Sequence, residues 1–306
     1  MGTGYSIQLV STASVFNSDQ LQQDIDKILL EINARMSTWR TDSELSRLNR
    51  QPEGVWLSVS AELFELLEQA MQLHRFTEGS FDITVGNLVN LWGFGAGSKS
   101  EISKPPTADE IKRLLLNSGM VHLNLNYSTN QLQKQVALYL DLSAIAKGYA
   151  VDQIAEYLLS QGFDNFLVEI GGEIRISGTK ADNTAWRIAI EVPEGKNRKP
   201  FSILQLSNIS VATSGDYRNY FEAGEKRYSH TINPSTGKPV EHDLASVTVI
   251  HKSATTADAL ATALMVMGEK RGLEFAKKNQ LAAFFIRRQA GHFLPSESPT
   301  FAMYTQ

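Results

Sequence analysis

Residues 136–177 read VALYLDLSAIAKGYAVDQIAEYLLSQGFDNFLVEIGGEIRIS, and the order of elements in this stretch indicates the fold class. Its apolar spacing predicts a strand over 136–141, a helix from about 143 to 160 and a strand over 165–170. The two glycines that follow favour a hairpin turn into an alternating strand over 174–177, because glycine readily adopts positive φ. The stretch therefore joins a helix to strands that pair antiparallel.

Helices and strands continue on both sides of this stretch without a regular alternation. Further helices are predicted from Ser18 to Met36, from Ser60 to Gly79, from Thr107 to about Asn117, over 256–267 and over 269–279. Further strands are predicted over 5–10, 186–192, 201–206, 209–212, 244–250 and 281–287. We therefore expect an α+β fold in which helices pack on antiparallel-rich sheets.

The chain is expected to form a single domain over 1–306, with a possible subdivision near 104–106. The tripeptide Lys104-Pro105-Pro106 is the best candidate for a linker, because proline interrupts regular structure. The stretch 81–97 is rich in glycine and aromatic residues, which predicts a loop or a broken helix. Loops of this kind often carry functional sites.

The composition excludes several classes of protein. With 42% hydrophobic residues and a formal net charge of −4, the chain is globular rather than disordered. No apolar run approaches the ~20 residues of a membrane-spanning helix, and no basic block suggests nucleic-acid binding. The absence of cysteine excludes disulfides, thiolate catalysis and thiolate metal sites.

The segment from Asp141 to Gly148 places Ser143 and Lys147 at a predicted junction between a strand and a helix. Unpaired N–H groups and the helix dipole favour an anion there, and the charge of Lys147 would add to that preference for a phosphate. The alternative is that Ser143 is only an N-cap and that Lys147 is a solvated side chain.

The segment Thr255-Thr256-Ala257-Asp258-Ala259-Leu260-Ala261-Thr262 offers two hard oxygen donors on one helix. Asp258 and Thr262 lie four residues apart, so their side chains share a helix face and could hold Mg²⁺ together with phosphate oxygens. The alternative is that Asp258 only complements the helix dipole and that the Thr262 hydroxyl bonds its own helix.

Three further motifs have both a functional and a structural interpretation. Gly171-Gly172 would let a ligand approach the backbone, although a plain hairpin turn is favoured. His230 could transfer protons but could equally be structural, and its surroundings do not resemble the nucleophile elbow of a serine hydrolase. Trp39 could stack on a flat ring or simply be half-buried.

Taken in order along the chain, these motifs resemble the ApbE family, the flavin transferases also called FAD:protein FMN transferases. The similar segments are Met1-Gly2-Thr3, Met36-Ser37-Thr38-Trp39, residues 79–86, residues 141–148, Gly171-Gly172-Glu173, residues 229–237 and residues 256–262. They cover nearly the whole chain. The resemblance implies the ApbE-like architecture, which is related to the T-fold.

The resemblance also implies a reaction and a location. Such an enzyme splits FAD, joins FMN through its phosphate to a Thr or Ser hydroxyl of an acceptor protein, and releases AMP. The implied acceptors are respiratory redox proteins such as subunits of a sodium-pumping NADH:quinone oxidoreductase. The implied location is the periplasm, with a lipid anchor in the inner membrane.

Roles for individual residues follow from the same resemblance. Mg²⁺, or alternatively Mn²⁺, would be bound by Asp258, Thr262 and the backbone carbonyl of Ala144. The FAD site would include Asp141, Lys147 and Ile232. Five further residues would lie against the flavin and adenine portions of FAD, namely Met1, Trp39, Ser80, Phe81 and Asp82. Lys147 would support the chemistry at the pyrophosphate, and His230 or Asp141 would be the general base.

The sequence departs from the family in two places. Trp39 stands where many relatives have Tyr, which keeps an aromatic face but removes a phenol. The start Met1-Gly2-Thr3-Gly4-Tyr5 has neither a signal sequence nor a lipid-bearing Cys, and Met1 aligns with an internal Met of relatives. We expect a form shortened at its front, with a cytoplasmic variant as the alternative.

Two other functions remain as alternatives at this point. A metal-dependent FAD pyrophosphatase would use the same groups to give FMN and AMP without an acceptor protein. A non-enzymatic FAD-binding protein would leave FAD intact.

Overall fold

The computed structural model describes residues 2–10, 16–96, 104–194, 199–216, 220–223 and 226–305. The chain divides into two compact units. The first unit consists of Met1–Leu30, Ile145–Arg218 and His242–Gln306, and the second consists of Glu31–Ala144 and Asn219–Glu241. None of these boundaries lies near 104–106, and the single domain over 1–306 stays a prediction.

The described residues contain helices and strands in irregular order. The helices are α1 Ser18–Met36, α2 Glu44–Arg50, α3 Ala61–Phe76, α4 Gly86–Leu91, α5 Ala108–Leu115, α6 Ala146–Ser160 and α7 Ala254–Lys278. The first eight strands are β1 Tyr5–Leu9, β2 Trp56–Ser58, β3 Leu123–Asn126, β4 Gln131–Lys134, β5 Phe166–Ile170, β6 Glu173–Ser177, β7 Trp186–Glu191 and β8 Pro200–Leu206. The others are β9 Ile209–Gly215, β10 Tyr220–Ala223, β11 Lys226–Ser229, β12 Ile232–Asn233, β13 Lys238–Pro239, β14 Leu244–His251, β15 Ala282–Gln289 and β16 His292–Glu297.

The first unit is built on a seven-stranded antiparallel sheet in the order β1-β5-β6-β9-β14-β15-β16. Helices α6 and α7 pack on each other and on this sheet. The ribbon β7–β8 packs against residues of this sheet in a buried cluster that includes Trp186, Leu204, Ile250 and Phe284. The predicted α+β fold, with helices on antiparallel sheets, is confirmed.

Helix α7 begins two residues before the predicted start and contains the predicted break. Ser253 caps it, with its side-chain oxygen accepting a hydrogen bond from the N–H of Thr256. Gly268 has φ 76° and ψ 171°, a conformation that favours glycine, so the helix is interrupted where the sequence predicted two helices. Among the described residues, no helix combines the length and apolar character needed to cross a membrane.

The second unit combines helices α2–α5 with a three-stranded sheet in the order β2-β4-β3. Ser60 caps α3 as predicted, and Gly79, at φ 80°, donates to the carbonyl of His74 beyond the helix end. Within 81–97, the structure describes the short helix α4 and, after it, Trp92, whose indole N–H donates to the carbonyl of Gly237 at 2.8 Å. Residue 97 itself lies outside the described part.

Two predictions near the start of α6 are wrong. Residues 136–141 form no strand, and only Tyr139 makes an isolated bridge, with Val85. The side-chain amide of Asn49 instead bonds both the N–H and the carbonyl of Leu140, at 2.7 and 2.9 Å, in place of a neighbouring strand. Ser143 does not cap α6, because its N–H donates to Asp141 in a turn and the helix begins at Ala146.

Candidate functional site

Three ionisable side chains of the first unit, Lys147, Glu173 and Asp258, meet at the start of α6, and we call them the Lys147 cluster. The nitrogen Nζ of Lys147 lies 2.5 Å from Oε1 of Glu173 and 3.7 Å from Oδ1 of Asp258. Oδ2 of Asp258 accepts a hydrogen bond of 3.0 Å from the N–H of Gly148. Glu173 and Asp258 are only 2% and 5% exposed, so an ammonium and two carboxyl groups share a mostly buried space.

The elements of the first unit explain why these groups meet. Lys147 and Gly148 are in the first turn of α6, and Asp258 is one turn into α7. Gly148 allows the two helices to approach, because a Cβ atom there would lie 2.6 Å from the carbonyl carbon of Ala254. Glu173 begins β6 directly after Gly171 and Gly172, whose φ values of 63° and 107° form the predicted hairpin turn.

The phosphate that the sequence predicts at the start of α6 stays a prediction, and the structure places an anion of the protein itself there. That anion is the carboxylate of Asp258, which bonds the N–H of Gly148 from the neighbouring helix. Asp258 therefore does more than complement the dipole of its own helix, and it lies outside the first turn of α7. Lys147 is an ion-paired, half-buried side chain rather than a solvated one.

Burial and charge act in opposite directions in the Lys147 cluster. Burial, together with the nearby Asp258, raises the pKa of Glu173 to about 8, although the ammonium of Lys147 opposes this shift. Burial alone would lower the pKa of Lys147, but the carboxylates of Asp258 and Glu173 raise it above its ordinary value. Lys147 therefore stays charged at neutral pH, whereas Glu173 exchanges its proton near neutrality.

The donor atoms of this cluster fit a divalent cation that prefers oxygen. Oε2 of Glu173 is buried without a hydrogen-bond partner among the described residues, and Oδ1 of Asp258 lies 3.7 Å from Nζ of Lys147. Thr262 follows Asp258 by one helical turn, and its hydroxyl makes no hydrogen bond within the described part of the chain. The described residues contain no group of three or more His, Asp or Glu side chains that could hold a metal ion. The predicted ligand set is of another kind, because it contains a single carboxylate, a hydroxyl and a backbone carbonyl.

The second unit brings three of the predicted FAD-site residues into one buried turn. Oδ1 of Asp82 accepts hydrogen bonds from the N–H and the hydroxyl of Thr84 at 2.7 and 2.6 Å, and Oδ2 lies 3.4 Å from Nδ1 of His74. Burial raises the pKa of Asp82, opposed by Thr84 and His74. Ser80 and Phe81 are 5% and 2% exposed. Their contact with the flavin or adenine stays a prediction.

Asp141, also in the second unit, is held in a turn. Its N–H donates to the carbonyl of Ile83 at 2.8 Å, and its Oδ1 accepts from the N–H of Ser143 at 2.8 Å. Burial raises the pKa of Asp141, although the hydrogen bonds with Ser143 oppose the shift. Ala144 follows in the same turn, and its role as a carbonyl ligand stays a prediction.

The other predicted residues of the second unit differ widely in exposure. Trp39 is 73% exposed, so its ring is available to a ligand rather than half-buried. His230 is half-buried, and its ring lies 6.3 Å from that of Phe94 in an edge-on contact. Ile232 is buried in an apolar cluster with Leu88. Met1 lies outside the described residues.

The sequence alone assigns no role to Glu173 or to the backbone N–H of Gly148. Glu173 enters the sequence argument only as part of the Gly171-Gly172-Glu173 motif, and its position directly after the two glycines is the one local signal that it offers. The N–H of Gly148 could not be identified, because its partner Asp258 is 110 residues away in the chain.

Comparison with known proteins gives the family. The model of the ApbE family matches residues 1–285. The FAD:protein FMN transferase of Vibrio cholerae is 45% identical over 302 residues, which cover 98% of this chain and 89% of that protein. The protein of the same name from Haemophilus influenzae is 40% identical over 312 residues, covering 100% of this chain and 90% of its own length.

Solved structures agree with the sequence relatives. The flavin transferase ApbE from Vibrio cholerae superposes with a TM-score of 0.90 at 43% identity, covering 99% of this chain and 96% of that one. The apo flavinyl transferase ApbE of Pseudomonas stutzeri gives a TM-score of 0.90 at 40% identity, covering 98% of this chain and 93% of that one. These similarities confirm the predicted architecture, and the chain belongs to the ApbE family of transferases.

Proposed function

We propose that the protein transfers FMN from FAD to a Thr or Ser hydroxyl of an acceptor protein. The acceptor oxygen forms a bond to the phosphorus of the FMN portion, and the bond from that phosphorus to the bridging oxygen of the pyrophosphate breaks. AMP leaves with the bridging oxygen, and a base of the protein takes the proton of the hydroxyl. The names of the relatives support this reaction.

The proposal rests on Lys147, a half-buried, charged side chain that lies beside Asp258 in the first unit. Transfer between phosphates develops negative charge on the oxygens around phosphorus, and a fixed cation in a site of low dielectric lowers the energy of that state. Lys147 is suited to this role because its two carboxyl neighbours keep it protonated and orient its ammonium group.

Mg²⁺, with Mn²⁺ as a substitute, would be held by the side-chain oxygens of Asp258 and Thr262 and by the carbonyl of Ala144. When bound, the ion would neutralise negative charge on the pyrophosphate oxygens. Among the described residues, Oδ1 of Asp258 and the hydroxyl oxygen of Thr262 are not engaged in hydrogen bonds, which supports this assignment.

His230 or Asp141 would accept the proton of the acceptor hydroxyl. The raised pKa of Asp141 makes its carboxylate a stronger base than an exposed aspartate, while a neutral imidazole suits the same task at His230. The two assignments differ in which variant would change the dependence of the reaction rate on pH. If only one of the variants Asp141→Asn and His230→Asn loses the base-dependent limb of the pH–rate profile, that residue is the base.

The exposed Trp39 would stack on an aromatic ring of FAD, and Asp82 with its neighbours would complete the binding surface. The acceptor would be a redox protein with a flavinylation segment, such as a subunit of a sodium-pumping NADH:quinone oxidoreductase. We propose that the reaction takes place in the periplasm, with attachment to the inner membrane through a lipid anchor.

Asp258→Asn tests the proposed chemistry directly. The substitution keeps the size of the side chain and changes helix propensity little, but it removes the formal charge that would bind the cation. With FAD and the acceptor protein present, we expect AMP release to be lost at saturating Mg²⁺ while circular dichroism and the melting temperature stay close to those of the unmodified protein. Asp182→Asn, an exposed aspartate in a turn of the same unit, is the matched control and should keep full activity. Full turnover by Asp258→Asn would contradict the proposed site.

A further inference from the structure

Asp152 of α6 is a second buried carboxylate at the junction between α6 and α7. It is 9% exposed, and both of its oxygens accept hydrogen bonds from the first residues of α7. Oδ2 accepts from the hydroxyl of Ser253 at 2.8 Å and from the N–H and hydroxyl of Thr255 at 2.9 and 2.7 Å. Oδ1 accepts from the N–H of Ala254 at 3.0 Å. These bonds satisfy backbone donors that the start of any helix leaves unpaired.

Arg175 links Asp152 to the strand that carries Glu173. Its guanidinium donates to Oδ1 of Asp152 at 3.0 Å and to Glu156 at 2.6 Å. Arg175 and Glu173 lie two residues apart on β6, so their side chains point to the same face of the sheet. This face of the sheet therefore contacts α6 at two points. Glu173 pairs with Lys147, and Arg175 pairs with Asp152.

The contacts of Asp152 determine where Asp258 lies. Gly148 and Asp152 are four residues apart on α6 and face α7 together, as do Ala254 and Asp258 on α7. The hydrogen bonds of Asp152 fix the first turn of α7 both along and about the helix axis, because they bind Ser253, Ala254 and Thr255. Asp258 lies in the next turn. A shift of that first turn would move the carboxylate of Asp258 off the N–H of Gly148.

We propose that Asp152 is a positioning residue for the cation-binding carboxylate. By clamping the start of α7 to α6, Asp152 keeps Oδ2 of Asp258 on the N–H of Gly148 and leaves Oδ1 for the divalent cation. This inference rests on the proposed function, because it requires that Asp258 bind the cation. Partners of metal ligands that act in this way typically change metal affinity about 10- to 100-fold when they are removed.

The test is the variant Asp152→Asn, whose amide nitrogen cannot accept the hydrogen bonds that one oxygen now accepts. Free Mn²⁺ is followed by electron paramagnetic resonance as Mn²⁺ alone is titrated into the 306-residue protein. We expect the affinity to fall about 10- to 100-fold. In the AMP-release assay, the Mg²⁺ concentration at half-maximal rate should rise by a similar factor, and excess Mg²⁺ should restore most of kcat.

Glu44→Gln is the matched control, because Glu44 has the same kind of role in the second unit. Its carboxylate bonds the N–H and the hydroxyl of Ser60, which caps α3, at 2.9 and 2.6 Å. We expect Glu44→Gln to lower the melting temperature while leaving the Mn²⁺ affinity unchanged. The milder variant Thr255→Val removes a single hydrogen bond to Asp152 and should weaken Mn²⁺ binding by a smaller factor.

The outcomes separate the inference from the proposed function. If Asp152→Asn folds and keeps both the Mn²⁺ affinity and the Mg²⁺ requirement of the unmodified protein, Asp152 is merely structural and the inference is overturned. If Asp152→Asn does not fold, unchanged Mn²⁺ binding by Thr255→Val overturns it equally. If Asp258→Asn itself binds Mn²⁺ normally, the proposed cation site is wrong, whatever Asp152 does.

Discussion

Nζ of Lys147 lies 2.5 Å from Oε1 of Glu173, a side chain that is almost completely buried and whose second oxygen has no partner among the described residues. The arrangement holds the ammonium group beside Asp258, which in turn bonds the start of α6. A lysine fixed between two buried carboxyl groups is costly to build, and clusters of this kind often mark functional sites.

The raised pKa of Glu173 predicts a specific dependence of stability on pH. Its pKa of about 8 in the folded protein exceeds the ordinary value of 4.5, so the folded state keeps a proton that the unfolded chain releases. The stability from this group is fully present below pH 4.5 and is lost as pH rises through 8, at no more than about 1.4 kcal/mol per pH unit. We would measure the free energy of unfolding by urea at pH 5.5, 6.5 and 8. As pH rises, the unmodified protein should lose stability relative to the variant Glu173→Gln. A constant difference between the two proteins would show that Glu173 does not titrate in this range.

Gly148 is predicted to tolerate no side chain. A Cβ atom would lie 2.6 Å from the carbonyl carbon of Ala254, which is backbone and cannot rotate away. Gly148→Ala should therefore push α6 and α7 apart and lower the free energy of unfolding by about 1–3 kcal/mol, measured by urea denaturation. Gly4→Ala is the control, because a Cβ atom at Gly4 would have no neighbour within 4 Å. Equal stability of the two variants would contradict the close helix contact.

Trp39 is predicted to contribute to FAD binding but not to the stability of the fold. Its side chain is 73% exposed, so Trp39→Ala removes little buried surface and should leave the melting temperature nearly unchanged. Loss of a stacked ring should weaken FAD binding by about 1–2 kcal/mol, roughly 5- to 30-fold, measured by quenching of flavin fluorescence. Trp39→Phe keeps a ring and should retain part of the affinity. An unchanged affinity in Trp39→Ala would assign the tryptophan no role in FAD binding.

The fold was predictable where local patterns agree with burial. Helices α1, α3, α5 and α7 follow apolar stripes or capping residues that can be read directly from the sequence, and Gly268 interrupts α7 where the pattern breaks. The errors occur where distant groups replace local structure. The apolar segment 136–141 looks like a strand, but Asn49 bonds Leu140 across 91 residues and removes the need for a neighbouring strand.

The candidate site was predictable in part. The four-residue spacing of Asp258 and Thr262 and the position of Lys147 near a helix start are local features, and the sequence indicated both. The bond from Gly148 to Asp258 joins residues far apart in the chain, so no local pattern could identify it. The contribution of Glu173 depends on a turn and on a strand register that pairs Ile170 with Glu173, which only the folded chain makes visible.

The mass of an acceptor protein shows whether FMN is transferred covalently. The protein is incubated with FAD and Mg²⁺, with and without an acceptor domain that carries a Thr or Ser segment from a sodium-pumping NADH:quinone oxidoreductase subunit. We expect the acceptor to gain the mass of one FMN phosphoryl group, AMP to appear with it, and EDTA to abolish both. Release of AMP without the added mass, in the presence or absence of that acceptor, would indicate hydrolysis of FAD and would contradict the account, and intact FAD with an unmodified acceptor would indicate a binding protein.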